Sequence, residues 1–291
     1  MPAAGIGARL ARLSGPRPGL PPAIAGAGHG LADGPPRSAD LEGLLARVEA
    51  MRARNRNAAP PRPVDLPALL GGREAGPGLA VVDRRHPFWQ PFGRLTLGQW
   101  VAKAQGTIGE ALGTEPGRLL FIDTETSGLA GGTGTIAWMI GIARIEEKTV
   151  LTRQYVVSGF AAEAAMLESL RREIGPDTTL VSFNGRSFDL PLLATRLRLN
   201  RLDKLPPAFH LDLLHPLRRR FRDALPDCRL PTLEEHLLGR PRDDDLPGSV
   251  APAVWNSVLA GQADDRLEGI ARHNRIDLLA MVALLHAADK I

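Results

Sequence analysis

A hydrophobic run, Leu119-Leu-Phe-Ile122, ends in Asp123-Thr-Glu125 and then breaks into Thr126-Ser-Gly-Leu129. The run is expected to be a buried strand, and side chains alternate along a strand, so Asp123 and Glu125 leave on one face. Two acids at the end of a buried strand repel each other and are poorly solvated. They persist where something positive lies between them, and for hard oxygen ligands that is Mg²⁺ or Mn²⁺. An ordinary acidic loop beginning where a strand stops fits these residues equally well.

Two further segments add carboxylates. Thr179-Leu-Val-Ser-Phe-Asn-Gly-Arg-Ser-Phe-Asp-Leu190 reads as a short buried strand, a turn at Asn184-Gly185 and a helix start that carries Asp189. In Leu267 to Leu285, Ile270, Ile276, Leu279, Val282 and Leu285 recur at helical spacing. His273 and Asp277 are four apart there, hence neighbours on one helix face. Singly, each has a plain structural reading: Asp189 as a capping acid, Asp277 as a solvated helix charge, His273 as a half-buried surface ring. As a set, four acids and a histidine suit phosphodiester hydrolysis by two metal ions about 3.5–4 Å apart, with a neutral imidazole to take the water's proton.

The pattern D-x-E at Asp123 and Glu125, N-x-x-x-F-D from Asn184 to Asp189, and H-x-x-x-D from His273 to Asp277 resembles the DEDD 3′–5′ exonucleases of the ribonuclease H-like superfamily. Within it the chain is most similar to the bacterial YprB-like proteins. That resemblance rests also on Gly131-Gly-Thr-Gly-Thr135, His210-Leu-Asp-Leu-Leu-His-Pro216 and Thr232-Leu-Glu-Glu-His-Leu-Leu-Gly239, and spans about Arg118 to Leu285. It implies Asp123, Glu125, Asp189 and Asp277 as ligands of two Mg²⁺ or Mn²⁺ ions and His273 as general base. The His-to-Asp spacing is the one that the family's tyrosine subgroup uses for its tyrosine.

A ribonuclease H-like α/β fold is expected for 116–291. Strands are read at Leu119–Asp123, Ile136–Ile145, Leu151–Val157, around Val181 and from Phe209 to Leu214. Helices are read over 161–174, 189–200, 251–260 and 266–288. Residues 1–37, rich in Pro, Gly, Ala and Arg, read as a disordered basic tail. Residues 38–115 read as a helix over 39–57 followed by a small strand-rich appendage that docks on the main domain.

Residues 1–115 hold 14 Lys/Arg against 9 Asp/Glu, and the remainder 22 against 23, so the net charge of +4 comes from the N-terminal part. Nucleic acid must then be met locally. Thr126 and Asn184, inside the motifs, and Arg218, Arg219 and Arg220 are the expected contacts, with Arg196, Arg198, Arg201 and Lys204 as a second basic group. A solvated helix face explains either arginine group as well. His210, His215 and His236 lack cysteine partners for zinc. Asp212 reads as a support for the site or a plain strand-end acid, and Asp243-Asp-Asp245 as a solvated turn.

The single cysteine, Cys228, excludes an internal disulfide framework and suits a reducing, cytoplasmic setting. No apolar run approaches the roughly 18 residues of a membrane span, so no membrane partner is expected. The expected function is a metal-dependent nuclease, a 3′–5′ exonuclease on single-stranded or fraying ends. The alternatives are a ribonuclease H-like nucleic-acid-binding module and a phosphoesterase for small nucleotides.

Overall fold

The computed structural model describes residues 62–128, 134–206, 209–243 and 245–288. The basic tail, the helix read over 39–57 and residues 129–133 of the glycine-rich turn lie outside the described residues.

Seven strands form one mixed sheet: β1 (Arg73–Gly76), β2 (Leu79–Pro87), β5 (Leu119–Thr126), β6 (Ala137–Ile145), β7 (Thr149–Val157), β8 (Thr179–Ser182) and β9 (Phe209–Asp212), with β3 (Pro91–Phe92) and β4 (Leu95–Thr96) a separate pair. The order is β1-β2-β7-β6-β5-β8-β9. Neighbours from β1 to β5 are antiparallel, whereas β5-β8 and β8-β9 are parallel. Seven of the nine β6 residues from Ala137 on are buried without interruption, as a strand covered on both faces requires.

Helices cover both faces: α1 (Leu66–Leu70), α2 (Leu97–Lys103), α3 (Glu163–Glu173), α4 (Asp189–Leu199), α5 (Leu214–Phe221), α6 (Leu230–Leu233, continued by a π-turn to Leu238), α7 (Ala251–Leu259) and α8 (Arg266–Leu284). On one face Leu120, Ile122 and Trp138 pack with Leu167 of α3, Leu193 of α4 and Trp255 of α7. The Trp138 and Trp255 rings stack with centroids 6.0 Å apart. On the other, Leu119, Phe121 and Ala143 pack with Trp100 of α2, Leu217 of α5 and Leu278 to Leu285 of α8. The α2 start is held by a reciprocal cap between Thr96 and Gln99.

The boundary expected at 115/116 falls inside this sheet. β2 pairs with β7 along its whole length, from Leu79↔Val157 to Pro87↔Thr149, and Leu79 to Val82 are buried. An apolar strand satisfies its backbone groups most fully in an existing ladder, which a free-standing appendage of this length would not offer. Residues 60–291 are accordingly one unit. Among the described residues no helix is long and apolar enough to cross a membrane.

Candidate active site

The three parallel-paired strands end at one edge, and the chain leaves each of them there. Asp123 and Glu125 close β5, Ser182 and Asp212 stand in register at the ends of β8 and β9, and Asp189 opens α4. Asn184, with φ of 64°, turns the chain out of β8. Asp212 fixes that turn by accepting from the N–H groups of Asn184 (2.7 Å), Arg186 (3.0 Å) and Leu214 (3.1 Å). It is therefore a buried support for the loop that carries Asp189, not a free ligand. His210 Nε2 meets the Ser182 hydroxyl at 2.9 Å, which binds it to the strands rather than to the other histidines.

Asp123, Thr124, Thr126, Asn184 and Asp189 share a cleft of about 290 Å³ with Phe183, Phe188 and Leu192. Phe188 stands at its rim with 62% of its surface exposed. The expected contacts Thr126 and Asn184 are thus brought to the carboxylates. Thr126 Oγ1 donates to the Gly128 carbonyl at 2.9 Å. Arg218, Arg219 and Arg220 are exposed on α5 and do not line the cleft. Arg220 donates to the carbonyl of Ala287, ten residues beyond Asp277. At 1.5 Å of rise per residue that is roughly 15 Å along the α8 axis from Asp277. Arg196 is held by buried Glu163, Nε to Oε1 2.6 Å, so this member of the second basic group is a structural cation.

α8 supplies the remaining residues. In register, Asp123, Gly141 and Gln154 lie side by side across β5, β6 and β7. Gly141 leaves a gap in that row, and the fully buried Asn274 fills it. Its amide takes a hydrogen bond from Gln154 (2.8 Å) and donates to Asp123 Oδ2 (2.7 Å). A Cβ at position 141 would stand 2.0 Å from Asn274 Oδ1, so glycine is required there. Asn274 escaped the sequence reading, although an asparagine in an apolar helix and a glycine amid an apolar strand are its two signals.

His273 precedes Asn274, with Nδ1 2.7 Å from Asp245 Oδ2 and Nε2 3.7 Å from Asp277 Oδ2. A Cβ at Gly248 would touch both His273 Nε2 and Glu125 Oε2, so these atoms converge beneath that loop. Asp245 is thus no solvated turn residue: its side chain is only 9% exposed. The sequence reading missed it because its partners lie on elements remote in the chain. Arg242 escaped for the same reason. Its guanidinium bonds Glu234, Asp245 (2.9 Å) and Asp277 Oδ1 (2.5 Å).

Electrostatically the cleft is strained. Burial first, then the charges of Asp277, Asp189 and Glu125, push the Asp123 carboxyl well above its ordinary range. Burial, Asp277, Asp189 and Asp245 do the same to Glu125. Burial also raises Asp189, against a 2.5 Å hydrogen bond from the Thr124 hydroxyl. Such a hard-oxygen set, costly to ionise alone, has the chemistry of a divalent-cation site. Among the described residues, however, no three His, Cys, Asp or Glu side chains already stand gathered as metal ligands. Asp189 is turned to Thr124, and Asp277 is held by Arg242. In chemistry, though not yet in geometry, Asp123, Glu125 and Asp189 suit a hard divalent cation, while Asp277 is engaged by Arg242.

The model of the RNase_H superfamily matches residues 120–288. A Bacillus subtilis (strain 168) protein described as uncharacterized protein YprB is 38% identical over 184 residues, 62% of this chain. The aligned part is 44% of that protein, so the present chain spans less than half of its relative. Among solved structures, a family B DNA polymerase from the archaeon Pyrobaculum calidifontis superposes with a TM-score of 0.47 at 15% identity, covering 59% of this chain and 24% of the polymerase. E. coli exonuclease I in complex with a dA16 oligonucleotide superposes with a TM-score of 0.34 at 18% identity, covering 56% and 45%.

Proposed function

Because this chain belongs to the RNase_H superfamily, we propose that it is a divalent-metal-dependent nuclease, a 3′–5′ exonuclease acting on single-stranded ends. The observation that carries this reading is that Asp123 and Asp189 line one cleft with Glu125 close enough to feel their charges, and that burial and mutual repulsion hold the Asp123 and Glu125 carboxyls well above their usual range.

Asp123, Glu125 and Asp189 are the residues that would hold Mg²⁺ or Mn²⁺. When bound, the cation activates water and offsets charge on the leaving oxygen. The other steps belong to side chains of the chain itself. Asn274 holds the Asp123 carboxylate at a fixed angle through one oxygen. The Asp245 carboxylate can only accept, so His273 carries its hydrogen on Nδ1 and keeps the Nε2 lone pair. That nitrogen faces the side of the cleft where Glu125 and Asp277 lie, and takes the proton of the attacking water.

Substrate is held by shape and stacking at the rim. The exposed face of Phe188 offers a platform to a base without sequence preference. Thr126 and Asn184 contact the terminal nucleotide, while Arg218, Arg219 and Arg220 meet phosphates further along the strand. Cleavage of end-labelled DNA and RNA oligonucleotides with Mg²⁺, with Mn²⁺ and with EDTA tests the reading. Products shortened from the 3′ end only when metal is present are expected. Equal cleavage in EDTA, or binding without cleavage under every condition, retires it.

A further inference from the structure

The segment after the α6 π-turn returns to the active site and places a second kind of cation there. Arg242 is only 7% exposed and stands among three carboxylates: Glu234, fully buried, Asp245, and Asp277. Its NH2 group bonds both Glu234 Oε1 and Asp277 Oδ1, and its Nε and NH1 reach Glu234 (2.9 Å) and Asp245 (2.9 Å). All three faces of the guanidinium fork are thus satisfied by carboxyl oxygens, an arrangement that matches the fixed fork of arginine donors. Glu234 keeps a second partner in Arg240 at 2.7 Å, so Arg242 is not needed to neutralise it. Asp245 is also the acceptor for His273. Asp245 and Asp277 both have Arg242 as their close cationic partner, and of the two Asp277 is the one in the expected ligand set.

We propose that Arg242 is a built-in cation that occupies the place of a second metal ion at Asp277, so that the loaded site holds one divalent ion rather than two. This rests on the nuclease reading above and gives it a stoichiometry. A second dication would have to approach Asp277 against a buried like charge. It would also have to take Arg242, only 7% exposed, from its three carboxylate partners. The remaining Asp277 oxygen lies 3.7 Å from His273 Nε2, on the side from which the general base works. Arg242 thereby leaves Asp277 oriented toward His273, and the single ion sits with Asp123, Glu125 and Asp189.

The test is a binding stoichiometry that needs no turnover. Free Mn²⁺ is followed by electron paramagnetic resonance as it is titrated into the full chain, with calorimetry in parallel. One Mn²⁺ per chain is expected, and Asp123→Asn is expected to weaken it by at least ~10-fold, as loss of a ligand should. Asp277→Asn is expected to weaken it far less than Asp123→Asn does, through loss of a nearby charge rather than of a ligand. Arg242→Gln, with Arg240 still on Glu234, is expected to admit a second Mn²⁺. Two ions on the unaltered chain, or a loss in Asp277→Asn equal to that in Asp123→Asn, overturns the inference and leaves the nuclease reading standing. No ion bound at all defeats that reading, and this one with it. Should Arg242→Gln fail to fold, the unaltered chain and Asp277→Asn decide the matter.

Discussion

Asn274 donates a 2.7 Å hydrogen bond to Asp123 across 151 residues of chain, and the space for it exists because residue 141 has no side chain. One helix thereby sets the angle of a carboxylate on the central sheet. Registry across β5, β6 and β7 puts Gln154 at the other end of the same row, so the Asn274 amide is satisfied on both sides.

Gly141→Ala is the sharpest test of that arrangement. The new methyl meets Asn274 Oδ1 at 2.0 Å, deep between a strand and a helix that cannot both yield. Overpacking of this kind is expected to cost about 1–3 kcal/mol in urea denaturation and to lower cleavage as Asp123 loses its anchor. Gly117→Ala, which meets nothing within 4 Å, is the control and should leave cleavage unchanged.

Removing an acid from the cleft should stabilise the metal-free chain. The folded-state carboxyl of Asp123 is raised by burial and by its acidic neighbours, so ionisation opposes folding at neutral pH. Stability from its protonated form is complete below the unfolded-state value and is lost as pH rises through the raised folded value. Asp123→Asn is expected to raise the metal-free Tm at pH 7 and to flatten its pH dependence. The increase in Tm that a given Mn²⁺ concentration gives the unaltered chain should be smaller in this variant, as its weaker binding requires. A lowered metal-free Tm would refute the electrostatic account.

His273→Ala is expected to reduce kcat by roughly 10²–10⁴-fold with KM little changed, the usual worth of a positioned general base. Asp245→Asn retains an acceptor for Nδ1–H and should keep more activity than Asp245→Ala. Steady-state kinetics on one labelled oligonucleotide compares the three. Equal turnover in His273→Ala and the unaltered chain would remove the base from the mechanism.

Acid resistance should depend on Arg153, far from the cleft. It grips Asp83 by two hydrogen bonds (2.7 and 2.9 Å) and Glu173 by one (2.7 Å). The Arg153 hydrogen bond holds the Asp83 carboxyl below its ordinary range. Burial would raise Glu173, but hydrogen bonds from Tyr155 and Arg153 outweigh it and hold that carboxyl low too. Depressed carboxyls contribute stability above the unfolded values of about 4, lost as pH falls through the lower folded ones. Arg153→Met is expected to lower stability at pH 7 and to shrink the loss on acidification. Parallel Tm-against-pH curves for the two chains would exclude this.

The amino-acid sequence by itself determined the strands and the acids they carry. Period-two and continuous apolar runs mark β5, β6 and β7, helical spacing marks α8, and Asp123, Glu125 and Asp189 follow from chain-local motifs. These signals are local because burial acts residue by residue along each element. Tertiary structure alone decided what those acids touch. β2 was read as part of an appendage because its pairing with β7 joins segments some seventy residues apart. Asp245 read as a turn acid because only folding brings His273 and Arg242 against it. The ion pair between Asp277 and Arg242 is likewise absent from any pattern along the chain, because 35 residues separate the two. Ion pairs and hydrogen bonds between distant elements leave no periodicity, so they become visible only when the elements are packed.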